Sequence, residues 1–169
     1  MALRRHSELR GRRLRLDEAV LERLVMSRFG YRYLRHVAPR IDKAVIPRTG
    51  GRLSSTGRNR VGLLTSVGAR SGQRRTQPLA FIDDGDGLLA IGSNYGQAHH
   101  PAWSHNLLAH PECEVEFRGP PAPYRAELLT GEERERAWAT AVDFYAGYAS
   151  YAASAAPREI RVFRLRPVA

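Results

Sequence analysis

Six short segments in the C-terminal two thirds of the chain have the length of β-strands, and in several of them apolar residues recur at every second position. They are residues 61–67, 76–83, 88–93, 112–118, 124–129 and 160–165. In the fourth, Cys113, Val115 and Phe117 share one face while Glu112, Glu114 and Glu116 share the other. A period of two lets a strand bury only one face, so six such strands predict a small, mostly antiparallel barrel with helices outside it. Asp83-Asp84-Gly85-Asp86-Gly87 reads as the hairpin turn between the second and third strands. It also satisfies Gly-x-Gly-x-x-Ala, but a strand follows it where a dinucleotide-binding turn needs a helix.

The 169 residues suit one domain with an extension. We place a basic N-terminal extension at 1–44 and the barrel domain at 45–169. The net charge of +10 is concentrated at the start: residues 1–60 carry 16 of the 27 basic and 5 of the 17 acidic residues. Within it, Leu16, Val20, Leu21, Leu24, Val25, Phe29, Leu34 and Val37 follow the spacing of one helix face, with Arg23, Arg28, Arg32 and Arg35 on others. Such a basic amphipathic helix packs on its own domain or rests on an anionic membrane surface. No helix-turn-helix, zinc-finger or aromatic RNA-binding signature accompanies the arginines, which disfavours nucleic acid as a partner. The single Cys113 rules out an intrachain disulfide, and no stretch reaches the roughly 20 apolar residues of a membrane span. The expected localisation is cytoplasmic, with the inner face of the cell membrane as an option.

Two helices interrupt the strands. One is expected over Ala102–Ala109, bounded by Pro101 and Pro111; the other opens on the capping box Thr130-Gly131-Glu132-Glu133 and buries Ala137, Trp138, Ala141 and Val142. After it Tyr145, Tyr148 and Tyr151 recur every third residue, reading either as core or as a phenol-lined wall over a planar ligand.

The run 68–78, Gly-Ala-Arg-Ser-Gly-Gln-Arg-Arg-Thr-Gln-Pro, carries more positive charge than a strand-to-strand turn requires. Its glycines let backbone N–H groups approach a ligand, and Arg70, Arg74 and Arg75 are expected to converge there on an anion. Other chemistries find little support. His99, His100, His105 and His110 lack the spacing of a metal site, so no metal is expected. Cys113 shares the apolar face of its strand and reads as a core residue, and neither a nucleophile elbow nor a P-loop is present.

Residues 68–79, Ser93-Asn94, the stretch from His100 to Pro111 and the tyrosines 145–151 resemble, in order and spacing, the deazaflavin-dependent nitroreductase family. The most specific piece is Pro101-x-Trp103-x-x-Asn106-Leu107-x-Ala109-x-Pro111. The resemblance covers about residue 45 to the end. It implies an α+β, mainly β fold: a six-stranded antiparallel split β-barrel of the FMN- or F420-binding type, with the amphipathic helix and other helices at its periphery. It implies coenzyme F420, a deazaflavin hydride carrier with a phosphate and an acidic oligoglutamate tail, and hydride transfer to a planar acceptor such as a quinone, enone or nitroaromatic. The cofactor residues implied are Ala69, Arg70, Ser71, Arg75, Thr76, Gln77, Pro78, Leu79, Ala80, Ile91, Gly92, Ser93, Asn94, Ala102, Trp103, Ser104, His105, Asn106 and Tyr148. Tyr148 or Ser93 would stabilise or protonate the developing oxyanion, with Tyr145 and Tyr151 shaping the substrate side. Family members often have Pro at Arg74 and Gly at Tyr95, and some an aromatic residue at Ala80, so the pocket's width is this chain's own. The alternatives are an FMN-binding split barrel and a non-enzymatic F420-binding or basic membrane- or nucleic-acid-associated module; a homodimer is left open.

Overall fold

A computed structural model describes residues 61–168 together with Val37, Ile41, Ala44, Val45, Ile46 and Arg48. The chain divides into the units Met1–Ala38 and Pro39–Ala169, and the description below concerns the second. The expected amphipathic helix over 16–37 lies outside the described residues apart from Val37.

Six strands close into a barrel: β1 (Val61–Val67), β2 (Arg74–Asp84), β3 (Gly87–Ile91), β4 (Glu112–Glu116), β5 (Ala122–Leu128) and β6 (Val162–Pro167). Their order around the barrel is β1-β2-β3-β6-β5-β4, every pair antiparallel, and β1 meets β4 from Leu63↔Glu116 to Ser66↔Cys113. Closure leaves no strand edge open to pairing. Among residues 61–168, three α-helices lie outside the barrel: α1 (Ala102–Ala109), α2 (Gly131–Phe144) and α3 (Gly147–Ala155).

The period of two sorts the apolar side chains into two clusters. Leu64, Phe81, Leu88, Ala90, Val115, Phe163 and Leu165 fill the barrel interior, and Trp103 and Leu107 of α1 join them. Ile82, Leu89, Ile91 and Val162, the alternate residues of the same strands, pack outward beneath Ala137 and Ala141 of α2 and Tyr148, Tyr151 and Ala155 of α3. Strands β2, β3 and β6 thus bury apolar residues on both faces, the outer one beneath the helices.

Several boundaries differ from the sequence expectation. Strand β2 begins at Arg74, because pairing with β1 runs to Val67↔Arg74 and leaves only residues 68–73 for the turn. Strand β3 stops at Ile91, since the carbonyls of Gly92 and Ser93 are taken by the Arg158 guanidinium. Strand β4 ends at Glu116, ahead of Arg118, whose φ of 56° leaves the extended region. Strand β6 is shifted to Val162–Pro167. The capping box also departs from expectation. Thr130 stands at the N-cap of α2 without a side-chain cap bond, and Glu133, which would reach back, is paired with Arg164 at 3.2 Å.

Candidate functional site

The ends of β1 and β3, the starts of β2 and β6, and helix α1 meet at one end of the barrel, and the expected site residues of these segments lie around it. The turn 68–73 closes on itself: the Gly68 N–H donates to the Gln73 carbonyl at 2.9 Å and the Gly72 N–H to the Gly68 carbonyl at 2.8 Å. Gly72 supplies the positive φ of 65° that this reversal requires. Asn106 of α1 fastens the turn from beneath, its Oδ1 accepting from the Ala69 N–H at 3.0 Å and its Nδ2 donating to the buried Ser66 Oγ at 3.1 Å. The turn's amides at Gly68, Ala69, Gly72 and Gln73 are therefore engaged within the protein. Those of Arg70 and Ser71 have no protein acceptor among the described residues, and both residues are exposed.

The three arginines do not all converge, as the sequence led us to expect. Arg74 turns toward β4 and pairs with Glu114 at 3.1 Å, because the pleat sends it to the face opposite Arg75. Arg75 donates to the Gln73 side-chain oxygen at 2.9 Å, and neither it nor Arg70 has a carboxylate partner among the described residues. Two exposed, unneutralised guanidiniums and two free amides remain, a donor set suited to phosphate or carboxylate.

The pleat also divides the contiguous stretch 75–80. Arg75, Gln77 and Leu79 lie in the row that continues to interior Phe81, whereas Thr76, Pro78 and Ala80 lie in the row that continues to Ile82. Thr76 Oγ1 bonds Thr65 Oγ1 at 2.8 Å. Gln77 carries the one buried side-chain polar atom without a partner among the described residues, its Nε2. Leaving such a donor unmet costs about 1–3 kcal/mol, so an acceptor brought by a ligand would offset a standing penalty. That orphaned donor, in the same row of β2 as Arg75, fits a ligand bearing oxygen acceptors and negative charge, as F420 does.

Trp103 sits in the interior cluster with its ring 5.6 Å from Phe163. It is thereby on the other side of the sheet from the tyrosines, closing the barrel end behind the turn. Ser104 is buried and bonds the Pro101 carbonyl at 2.9 Å, while Ala102 and His105 are exposed. The His cluster has arginine neighbours: Arg158 Nη1 lies 3.4 Å from His100 Nδ1, Arg161 Nη1 lies 3.4 Å from His105 Nδ1, and the two imidazoles meet edge to face. No group of three potential metal ligands occurs among the described residues.

Over the outer row, the tyrosines form a compact aromatic cluster, called the tyrosine chamber below. Tyr148 and Tyr151 are buried on α3, and Tyr145 stands at the C-cap of α2, so the three lie on successive turns of chain rather than on one helix. A Cβ at Gly147 would run into the Tyr145 ring, so glycine at the start of α3 lets that ring fold over the helix. Ring centroids are 5.4 Å apart for Tyr145 and Tyr148, 6.1 Å for Tyr145 and Tyr151, and 6.3 Å for Tyr148 and Tyr151. Ile91 lies in the same cluster. Burial, with the neighbouring phenols of Tyr145 and Tyr95, pushes the Tyr148 hydroxyl well above its ordinary range. Tyr151 moves the same way through burial and a hydrogen bond with Tyr145. Both therefore remain protonated near neutrality and keep a proton to donate. Cys113 offers no rival chemistry, since burial and Glu112 raise its thiol to about 12.

Sequence reasoning missed Arg158. Its Nε donates to the Gln97 carbonyl at 2.9 Å, Nη1 to that of Gly92 at 3.2 Å and Nη2 to that of Ser93 at 2.8 Å. These bonds set the path of Ser93 and Asn94 beside the tyrosines. No local pattern announces a bond spanning 65 residues.

The sequence profile of the F420H(2)-dependent quinone reductases matches residues 35–167. The chain belongs to this family. A Mycobacterium tuberculosis protein, by name a candidate F420H(2)-dependent quinone reductase, is 34% identical over 105 residues, which are 62% of this chain and 87% of that protein. A solved F420-H2 dependent reductase superposes with a TM-score of 0.58 at 34% identity, covering 63% of this chain and 94% of its own. A further solved structure, described only as a domain-swapped dimer, gives a TM-score of 0.60 at 30% identity, covering 73% of this chain and 96% of its own. This member of the quinone reductase family has a closed barrel of the expected six strands, an exposed cationic turn between β1 and β2, and a buried tyrosine cluster on the outer face of β3 and β6.

Proposed function

We propose that this chain is an F420-dependent reductase that passes a hydride from reduced F420 to a quinone-type acceptor. Membership of the quinone reductase family carries this reading. When bound, the cofactor supplies the hydride, and the protein supplies binding, orientation and a proton. Arg70, Arg75 and the amides of Arg70 and Ser71 hold the cofactor's phosphate and acidic tail, with Ala69 fixed in place by Asn106. Gln77 donates its unpaired amide hydrogen to a ligand oxygen. Thr76, Pro78, Leu79, Ala80, Ile91, Gly92, Ser93 and Asn94 form the strand side of the groove, and α1 backs it through Ala102, Trp103, Ser104, His105 and Asn106. Tyr148 donates a hydrogen bond or its proton to the developing oxyanion, Ser93 is the second candidate donor, and Tyr145 and Tyr151 keep water from the reacting atoms.

Coenzyme F420 is the cofactor rather than FMN, in keeping with the family and with the named relatives. The solved relative described as a domain-swapped dimer supports a homodimer. A distinct extension at 1–44 in contact with anionic membrane is supported by the crowding of basic residues at the start of the chain; among the described residues no helix is long and apolar enough to cross a membrane. Fluorescence titration of the purified protein with F420, with FMN as control, tests the core of the reading. Saturable binding of F420 and none of FMN is expected; the reverse order refutes it.

A further inference from the structure

Between β3 and α1 the chain makes a single tight turn, Asn94–Gly96, that packs against α3. Asn94 and Tyr95 there both occupy the left-handed region, with φ of 47° and 53°. Asparagine tolerates this conformation; a tyrosine seldom adopts it. The surroundings impose it, because the Arg158 guanidinium grips the carbonyls on both sides of the turn, those of Gly92 and Ser93 before it and Gln97 after it. Gln97 N–H also donates to the Asn94 carbonyl at 3.1 Å. The consequence is the position of one ring. Tyr95 meets Tyr151 edge to face at 6.2 Å, yet stays 37% exposed. It therefore stands at the solvent edge of the buried tyrosines.

We propose that Tyr95 is the outer wall of the acceptor chamber and limits the size of the quinone admitted, and that Arg158 is the positioning residue that holds it there. The proposal rests on the quinone reductase reading and deepens it: the favoured acceptors are single-ring quinones, with fused-ring quinones partly excluded by the Tyr95 ring. Arg158 touches no acceptor; it acts through the backbone of residues 92–97. The polar tip of Tyr95 is not what excludes, so phenylalanine should serve as well as tyrosine.

The experiment compares 2,6-dimethyl-1,4-benzoquinone, with one ring, and menadione, with two. Binding is read with the cofactor-free full chain by quenching of tryptophan fluorescence, since Trp138 lies 6.3 Å from the Tyr148 ring; turnover is read with reduced F420. Removing a side chain that walls an apolar pocket changes discrimination by about tenfold or more. Tyr95→Gly, which also suits the left-handed backbone, should improve menadione over the single-ring quinone by that factor in both Kd and kcat/KM, while Tyr95→Phe keeps the wild-type ratio. Arg158→Lys should shift the ratio the same way, speed amide exchange across residues 93–97, and have no further effect on the ratio in the Tyr95→Gly background. An unchanged ratio in folded Tyr95→Gly overturns the role of Tyr95, and additive effects in the double variant overturn that of Arg158. F420 titration of the same proteins keeps the two readings apart: loss of the parent reading appears as no F420 binding by the wild type, whatever the quinone ratio.

Discussion

The turn at 68–73 and the tyrosine chamber lie at the same end of the barrel and are built on opposite principles. At the turn the groups that could hold a ligand are charged, exposed and unneutralised: Arg70 and Arg75 have no carboxylate partner among the described residues. In the chamber they are neutral and dry, with Tyr148 7% and Tyr151 6% exposed. Charge at an exposed site acts over a Debye length and is screened by salt, whereas a packed, water-free pocket acts through shape and ignores ionic strength. The two regions should therefore separate experimentally, the turn governing affinity and the chamber governing turnover.

The largest effect is expected in the chamber. Tyr148→Phe keeps the ring contacts with Tyr145 and Trp138 and deletes only the donor, so kcat should fall about a hundredfold, the size of a lost general acid, with F420 affinity and its salt dependence unchanged. Steady-state kinetics beside a binding titration check this. Equal loss in affinity would erase the contrast with the turn.

At the turn the expectation reverses. Arg70→Ala combined with Arg75→Ala should weaken F420 binding by about tenfold to a hundredfold at low salt, the loss of two exposed charge-assisted contacts. The deficit should shrink as salt rises, and kcat at saturating cofactor should hold. Titrations at two ionic strengths decide it; a deficit independent of salt would mean that the arginines act through packing.

The two regions also differed in how far the sequence disclosed them. The barrel was legible because alternation is a local signal: Val61–Val67 and Ala102–Ala109 fall where the pattern put them. The charge of the turn was legible too, but its direction was not. Arg74 and Arg75 are adjacent in sequence and opposite in space, and only the register Val67↔Arg74 and Ser66↔Arg75 tells which one meets Glu114. Helix α2 was foreseen, while its capping box was undone by Arg164, a residue 31 positions away that claims Glu133. The chamber was visible as three spaced tyrosines; its fourth ring, Tyr95, and the Arg158 bonds that set it depend on contacts across more than 50 residues, which no periodicity records.

A smaller effect is expected at the support beneath the turn. Asn106→Ala strands the Ala69 N–H and the buried Ser66 hydroxyl, at a cost of about 1–3 kcal/mol. For a domain of this size each kcal/mol lowers Tm by roughly 2–4 °C. The thermal midpoint should drop by several degrees, and F420 affinity should weaken more than kcat, since the bond to Ala69 belongs to the turn. A fall in kcat alone would place Asn106 with the chamber instead.

The smallest expected effect concerns His100, whose pKa is lowered from 6.5 to about 4, chiefly by burial and then by Arg161, Arg158 and His105. The unfolded chain takes up this proton near its ordinary pKa of about 6.5; the folded chain declines it until about pH 4. Between those values the unfolded state binds more protons, so stability is fully present above about pH 6.5 and drains as the pH falls toward 4, by less than about 1.4 kcal/mol per unit. His100→Gln should flatten urea-unfolding midpoints measured from pH 7 to pH 5, and parallel slopes for variant and wild type would remove His100 as the cause. The charge it acquires in acid appears beside Arg158, whose guanidinium holds the carbonyls of Gly92, Ser93 and Gln97. Repulsion there loosens the support of the chamber and leaves the turn at 68–73 untouched. Acid should accordingly impair turnover at a pH where F420 affinity is still intact, and the two should fall together only if the chamber and the turn are mechanically one unit.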